Sequence, residues 1–185
     1  LRREHAALRT GAMILRPTAE PGLFAFSRIE RGERIEYLAT FNNSRATTLT
    51  TTVPTSQPNG ARFVPLFDSQ APETPATTAL TTGANGTVEV TLAPLQFALW
   101  RAERPLAAPT NAPAISLVAP VAGAAWEITS REFDDLVLPS RRELRAEVTG
   151  SDGFAEVTFV MTRASRPGQF ELLGTDDAAP YRIYW

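Results

Sequence analysis

Residues 22–44, GLFAFSRIERGERIEYLATFNNS, constrain the fold of this chain more than any other stretch. Two apolar-rich runs, 23–29 and 34–41, flank the polar tetrad Glu30-Arg31-Gly32-Glu33, in which Gly32 can adopt a positive φ without steric cost. The pattern predicts a β-hairpin. An even-length loop sets Ile29 opposite Arg34, Arg28 opposite Ile35 and Phe26 opposite Tyr37. Alternation along the strands then gathers Phe24, Phe26, Ile35, Tyr37, Ala39 and Phe41 on one side, leaving Leu23, Ser27, Arg34, Glu36, Leu38 and Thr40 on the other. The aromatic side is expected to be the buried one, because each buried Phe contributes roughly 1.5–3 kcal/mol. Slipping the register by one residue would turn that set into water. On this reading Phe26 belongs to the core and nothing in the hairpin is catalytic.

Around this hairpin the chain reads as a succession of strands. A short helical segment at 1–9 ends at Thr10-Gly11, with Gly11 as its C-cap, and a strand follows at 12–16. The Thr-rich run 47–53 suits an edge or exposed strand, and Pro65 gives the strand at 62–67 an edge or bulge position. Residues 68–80, DSQAPETPATTAL, read as a long surface loop, and Asn85-Gly86 as a tight hairpin turn. Beyond it Val88, Val90 and Leu92 share one face. In the next strand Leu95, Phe97 and Leu99 point one way and Gln96, Ala98 and Trp100 the other. Residues 105–113 form a Pro-rich linker. Strand candidates then recur at 115–119, 126–129, 143–149, 154–163, 170–175 and 181–185, a spacing of roughly 8–12 residues that marks a β-sandwich.

Composition removes several chemistries. The chain has no Cys, which excludes disulfides, thiolate metal sites and cysteine nucleophiles; its single His, His5, excludes multi-histidine metal sites. Eighteen basic residues, every one Arg, balance 20 acidic ones, so neither nucleic acid nor a membrane surface is an expected partner. The use of Arg to the exclusion of Lys reads as a high-G+C codon bias. The sequence opens on Leu1 within a helix-like segment and stops at Trp185 within a strand-like one, so a piece of a longer protein is expected.

Two stretches resemble a known arrangement. Leu1-Arg2-Arg3-Glu4-His5-Ala6-Ala7-Leu8-Arg9-Thr10-Gly11 resembles the end of the last barrel helix in the α-amylase family of glycoside hydrolases, with Ala6 where that family commonly has Pro. Residues 22–44 and 87–103 resemble the first hairpin and final strands of that family's C-terminal β-domain. The resemblance covers about residues 1–104. It implies an antiparallel Greek-key sandwich packed against a catalytic barrel, whose Asp nucleophile, Glu acid/base and supporting Asp lie on barrel strands outside this sequence. Residues 153–159, 173–177 and 179–181, together with Trp185, are similar to a bacterial immunoglobulin-like module.

The expected fold class is therefore all-β, with two consecutive antiparallel sandwich modules and a short N-terminal helical remnant. Residues 1–11 would be the end of a barrel helix, 12–104 the amylase-type β-sandwich, 105–113 a linker and 114–185 a truncated immunoglobulin-like module. The implied role is a non-catalytic C-terminal part of a secreted or cell-surface bacterial enzyme acting on α-glucans, whose partner is the parent's barrel. The alternatives are a glycan-binding module and a structural surface module without an enzymatic parent. No cofactor, metal or catalytic residue is expected within the chain.

Individual residues divide accordingly. His5 has no recognisable nucleophile near it and suits a structural or interface role. Asp176-Asp177, with Asp152, could ligate Ca²⁺, but local backbone capping in a turn is the simpler use. Trp100, pointing away from Phe97 and Leu99, is expected to be exposed or to cover a neighbouring domain, and is the candidate carbohydrate-binding residue, with α-glucan as its ligand. Trp126 and Trp185 are expected within the second core. Asn42-Asn43-Ser44 and Asn85-Gly86-Thr87 match a glycosylation pattern but read better as turns. Exposed edges at both ends are expected to promote self-association.

Overall fold

A computed structural model describes residues 1–74, 78–124, 130–133, 136–139, 141–151 and 155–185. Strands dominate it, every pairing is antiparallel, and the chain divides into two compact units, Leu1–Ala108 and Pro109–Trp185. Both are built as β-sandwich modules.

In the first unit a four-residue helix, α1 (Ala7–Thr10), is followed by β1 (Ala12–Arg16), β2 (Leu23–Ile29), β3 (Glu36–Asn42), β4 (Leu49–Pro54), β5 (Arg62–Asp68), the two-residue β6 (Leu80–Thr81), β7 (Thr87–Leu92) and β8 (Phe97–Ala102). Six strands form one sheet in the order β1-β2-β3-β8-β5-β6, and β4 pairs with β7 in a second. The core lies between the sheets. Leu23, Ala25, Leu38, Phe63, Ala98 and Trp100 from the large sheet meet Val53, Val88, Val90 and Leu92 from the small one. The alternation expected for Val88, Val90 and Leu92 is observed; all three are buried.

The hairpin faces are the reverse of the sequence expectation. The mixed side of β2–β3 packs inward and the aromatic side faces outward. Leu23, Ser27, Glu36, Leu38 and Thr40 are buried, while on the outward side Phe24 is 60% exposed and Phe26 only half-buried; of the aromatic set, Tyr37 and Ala39 are buried as expected, though in a separate cluster outside the inter-sheet core. What permits this is a polar network inside the sandwich. Glu36, 0% exposed, accepts from Arg16 Nη2 (2.7 Å) and Ser27 Oγ (2.6 Å), and its Oε2 accepts from the Ser56 backbone N–H (3.0 Å). Arg16 donates again to Ser27 Oγ through Nε (2.8 Å) and to Ser56 Oγ through Nη2 (2.6 Å). The carboxylate is thus compensated by a guanidinium and two further donors, the condition under which a buried charge is tolerable.

The register also differs, by two residues. Phe26 pairs with Ala39, Arg28 with Tyr37 and Ile29 with Glu36, leaving a six-residue loop, 30–35. A two-residue shift preserves which side chains share a face. Its cause is in the loop. The Glu30 carboxylate caps the N–H groups of Gly32 and Glu33, the Arg34 N–H donates to Glu30 O, and Arg34, not Gly32, takes the positive φ of 56°. Arg34 then leaves the ladder to pair with the chain near Leu106: its C=O accepts from the Leu106 N–H (2.8 Å), and its guanidinium donates to Leu106 O and Ala107 O.

Other turns follow local chemistry. The register shift between Pro65 and Phe67 is the bulge expected at Pro65, and β6 pairs only with Arg62 and Phe63, so Pro65 has no ladder partner on that side. Asn85 (φ 59°) and Gly86 (φ 67°) form a corner between the two sheets in place of a tight hairpin. A Cβ on Gly86 would lie 2.3 Å from Gln57 O.

The second unit contains β9 (Ala114–Ala119), β10 (Ser130–Phe133), β11 (Leu136–Pro139), β12 (Glu143–Thr149), β13 (Val157–Thr162), β14 (Phe170–Asp176) and β15 (Tyr181–Tyr184). A three-stranded sheet, β15-β12-β9, and the β13–β14 pair enclose Leu144, Ala146, Val157, Phe159 and Tyr181. The pair β10–β11 was not legible in the pattern, and the strand expected at 126–129, with Trp126, lies outside the described residues. Trp185 is 47% exposed, a correction to its expected place in the core; its N–H and C=O continue the ladder with Arg142.

Candidate functional site

The outward face of the large sheet is the strongest candidate for a functional surface. Its side chains line up in rows set by strand register. One row runs Leu15, Phe26, Ala39, Leu99, Phe67 across five strands, and a second runs Phe24, Phe41, Phe97 across three. Phe67 and Phe97 link the rows, with ring centroids 6.0 Å apart. Leu15 is 74% exposed, and Met13 and Phe24 are also exposed. A continuous apolar face of this extent is uncommon on a surface that meets only water.

Part of the face is already covered. The segment leading into α1 and the helix itself lie over it, burying Ala7 fully against Tyr37, Ala39 and Leu99. The helix is held by Arg28, which donates to Ala7 O (3.2 Å) and Arg9 O (3.4 Å). His5 Nδ1 and Tyr37 Oη are 3.1 Å apart, and Arg101 Nε donates to the same hydroxyl (3.2 Å). His5 therefore has the structural role expected for it. Gly11 follows the helix in extended conformation (φ −66°), so its small size serves packing: a Cβ there would lie 2.7 Å from Ala7 O and 2.8 Å from the Ile29 carbonyl carbon. Between the helical segment and the sheet remains a cavity of about 400 Å³, lined by Leu1, Leu8, Phe26, Ala39, Phe97 and Leu99.

Trp100 requires a correction. It is 2% exposed, lies among the buried residues of the inter-sheet core, and donates through Nε1 to Thr78 O (3.0 Å). The direction expected from alternation is right, opposite to Phe97 and Leu99, but that direction leads into the core. A fully packed indole offers no open ring face on which a pyranose could stack.

The remaining candidates behave as local structure. Asp176 Oδ1 accepts from the Ala178 N–H (3.1 Å) and Oδ2 from the Arg182 N–H (2.8 Å), the turn-capping use; Asp152 lies outside the described residues. Among the described residues no group of three or more His, Asp or Glu is arranged to hold a metal ion. Asn42 is buried, its Nδ2 donating to Thr47 O, Leu92 O and Ala93 O, so it is closed to glycosylation. No helix among the described residues is long and apolar enough to cross a membrane.

No family model matches the chain. Over 184 residues it is 30% identical to a protein described as an α-amylase from Streptomyces lividans, an alignment that covers 99% of this chain and 17% of that relative. The similarity runs through both units, and the chain spans less than a fifth of the relative's length.

Proposed function

We propose that this chain is the non-catalytic C-terminal β region of a secreted bacterial α-amylase-type glycoside hydrolase acting on α-glucans. In this reading the first unit covers and stabilises the parent's catalytic barrel, and the second is an immunoglobulin-like spacer. The observation that carries it is the outward apolar face, with its rows Leu15–Phe26–Ala39–Leu99–Phe67 and Phe24–Phe41–Phe97. Similarity to part of an α-amylase supports this class of parent. A large apolar side chain contributes roughly 1.5–3 kcal/mol when fully covered, so a few of these positions suffice to hold a neighbouring domain.

Two outcomes are expected. The isolated chain should not hydrolyse starch or maltooligosaccharides at high protein concentration; turnover that survives rigorous purification would overturn the reading. The double substitution Leu15→Ser, Phe24→Ser should change the denaturation midpoint of the isolated chain by no more than about 0.5 kcal/mol, because both side chains are largely exposed. In the full-length parent the same change should lower the melting temperature of the catalytic domain. Identical behaviour of variant and wild-type parent would sink the docking role. Self-association of the isolated chain, read by light scattering, should weaken in the same variant.

A further inference from the structure

Two separate observations mark an open flank on the second unit. The first is the edge of β13, V-T-F-V-M-T. Among the described residues β13 pairs with β14 alone, so alternate backbone N–H and C=O groups on its other edge have no ladder partner. Free edges are ordinarily blunted by charge, Pro or a bulge. β13 has no charged residue and no Pro, and the register shift between Phe159 and Val160 puts the extra residue, Leu173, on β14. The second observation lies in the opposing sheet. Ile115 and Leu117 of β9 stand opposite Val148 and Ala146 of β12, on the face that carries the core. Yet they are 63% and 59% exposed, whereas Ala146 is buried. The layering explains the difference. β14 lies over β15, where a Cβ on Gly174 would come within 3.2 Å of the Ile183 side chain. Val157 and Phe159 of β13 close over Leu144 and Ala146 of β12. The next place in that layer, beyond β13, lies over β9, and among the described residues no strand joins β13 there.

One added strand would answer both observations. Its backbone would complete the β13 ladder at about 4.8 Å, and its inward side chains would cover Ile115 and Leu117. The β10–β11 pair forms a sheet of its own and does not join β13. A second copy does not fit, because its own β12 would travel beneath its β13 and collide with β9. The occupant is therefore a single strand with no sheet beneath it. The chain matches only 17% of its α-amylase relative, so a polypeptide of that length has further sequence to supply one. We propose that this flank is a strand-acceptor site filled by a segment of the parent polypeptide outside residues 1–185. The segment would match the six residues of β13 and carry apolar, uncharged side chains at alternate, inward positions. The proposal rests on the reading of this chain as part of a longer protein, and not on what that protein hydrolyses.

Amide hydrogen exchange on the full 185-residue chain and on the full-length parent tests it. In the isolated chain the alternate amides of 157–162 that do not bond β14 should exchange fast at every protein concentration. In the parent the same amides should slow by about 100-fold or more, as for a strand inside a sheet. Ile115→Ser with Leu117→Ser, both at exposed positions, should leave the urea midpoint of the isolated chain unchanged. In the parent the same pair should cut the β13 protection by about tenfold, because the added strand loses its apolar floor. Equal exchange in chain and parent, or parent protection that the double substitution leaves intact, would overturn the proposal. So would slow exchange already present in the dilute isolated chain, which would assign the cover to residues within 1–185. Protection that rises with the concentration of the isolated chain would assign it to a second copy and equally overturn it. Starch hydrolysis by the parent is read separately. Protection without hydrolysis would keep the acceptor site and sink the amylase-type reading, and hydrolysis without protection would do the reverse.

Discussion

Glu36→Ala is expected to destabilise the first unit by about 3–5 kcal/mol, the range for removing one partner of a buried ion pair. The substitution strips Arg16 of its carboxylate while leaving its guanidinium in place, and it leaves the Ser27 hydroxyl and the Ser56 N–H without their acceptor. Three separate segments are joined at this one side chain: β1 through Arg16, β2 through Ser27, and the turn after β4 through Ser56. The measurement is the urea midpoint followed through resonances of β2 and β3. A paired replacement, Arg16→Met with Glu36→Leu, should cost less than Glu36→Ala alone, because it removes the charges together and fills the space with apolar atoms. A single-variant cost below about 0.5 kcal/mol, the scale of an ordinary surface change, would show that the network contributes nothing measurable.

That network also explains where sequence reading failed and where it held. Alternation correctly sorted β2 and β3 into two sets of side chains, and the set memberships survived a two-residue change of register. What alternation cannot supply is which set faces the second sheet. Counting hydrophobicity favoured the aromatic set, since Glu36, Arg34 and Ser27 argue for solvent when each is taken alone. Arg16 and Ser56 lie far from Glu36 in sequence, so their compensation becomes visible only once β1 and the β4–β5 turn are in place. The outward aromatic face is then the informative one, and its readability is the same fact seen from the other side: a sheet whose two faces both carry large apolar residues expects cover on both. The Val88-Val90-Leu92 strand and the Pro65 bulge were legible because each depends on strand-local chemistry. The loop of the central hairpin was not, because Arg34 is drawn off the ladder by Leu106 and Ala107, which stand at the far end of the unit's sequence.

Trp100→Ala should be at least as damaging, costing about 3–5 kcal/mol as for a large aromatic truncated in a close-packed core. Trp100 stands opposite Leu38 on β3 and Pro65 on β5, so it occupies the middle of the large sheet's inner face. It packs in one cluster with Phe63, Val88, Val90 and Leu92, which reach it from β5 and from the opposing sheet. Truncation would open a void bounded by these residues and deprive Thr78 O of its indole donor. Trp100→Phe should recover most of the packing while still losing that hydrogen bond, so the difference between the two variants separates volume from polarity. The comparison with Phe24→Ala is the sharper one. Both residues are large aromatics on central strands, yet Phe24 is 60% exposed and its truncation should shift the midpoint of the isolated chain by no more than about 0.5 kcal/mol. Had the aromatic side of the hairpin been the core, the order would be reversed: Phe24→Ala would be the costly change and Trp100→Ala the tolerated one. Urea denaturation of the two variants therefore decides which face of the sheet holds the sandwich together, and a midpoint shift for Phe24→Ala equal to that for Trp100→Ala would refute the assignment of faces made from burial.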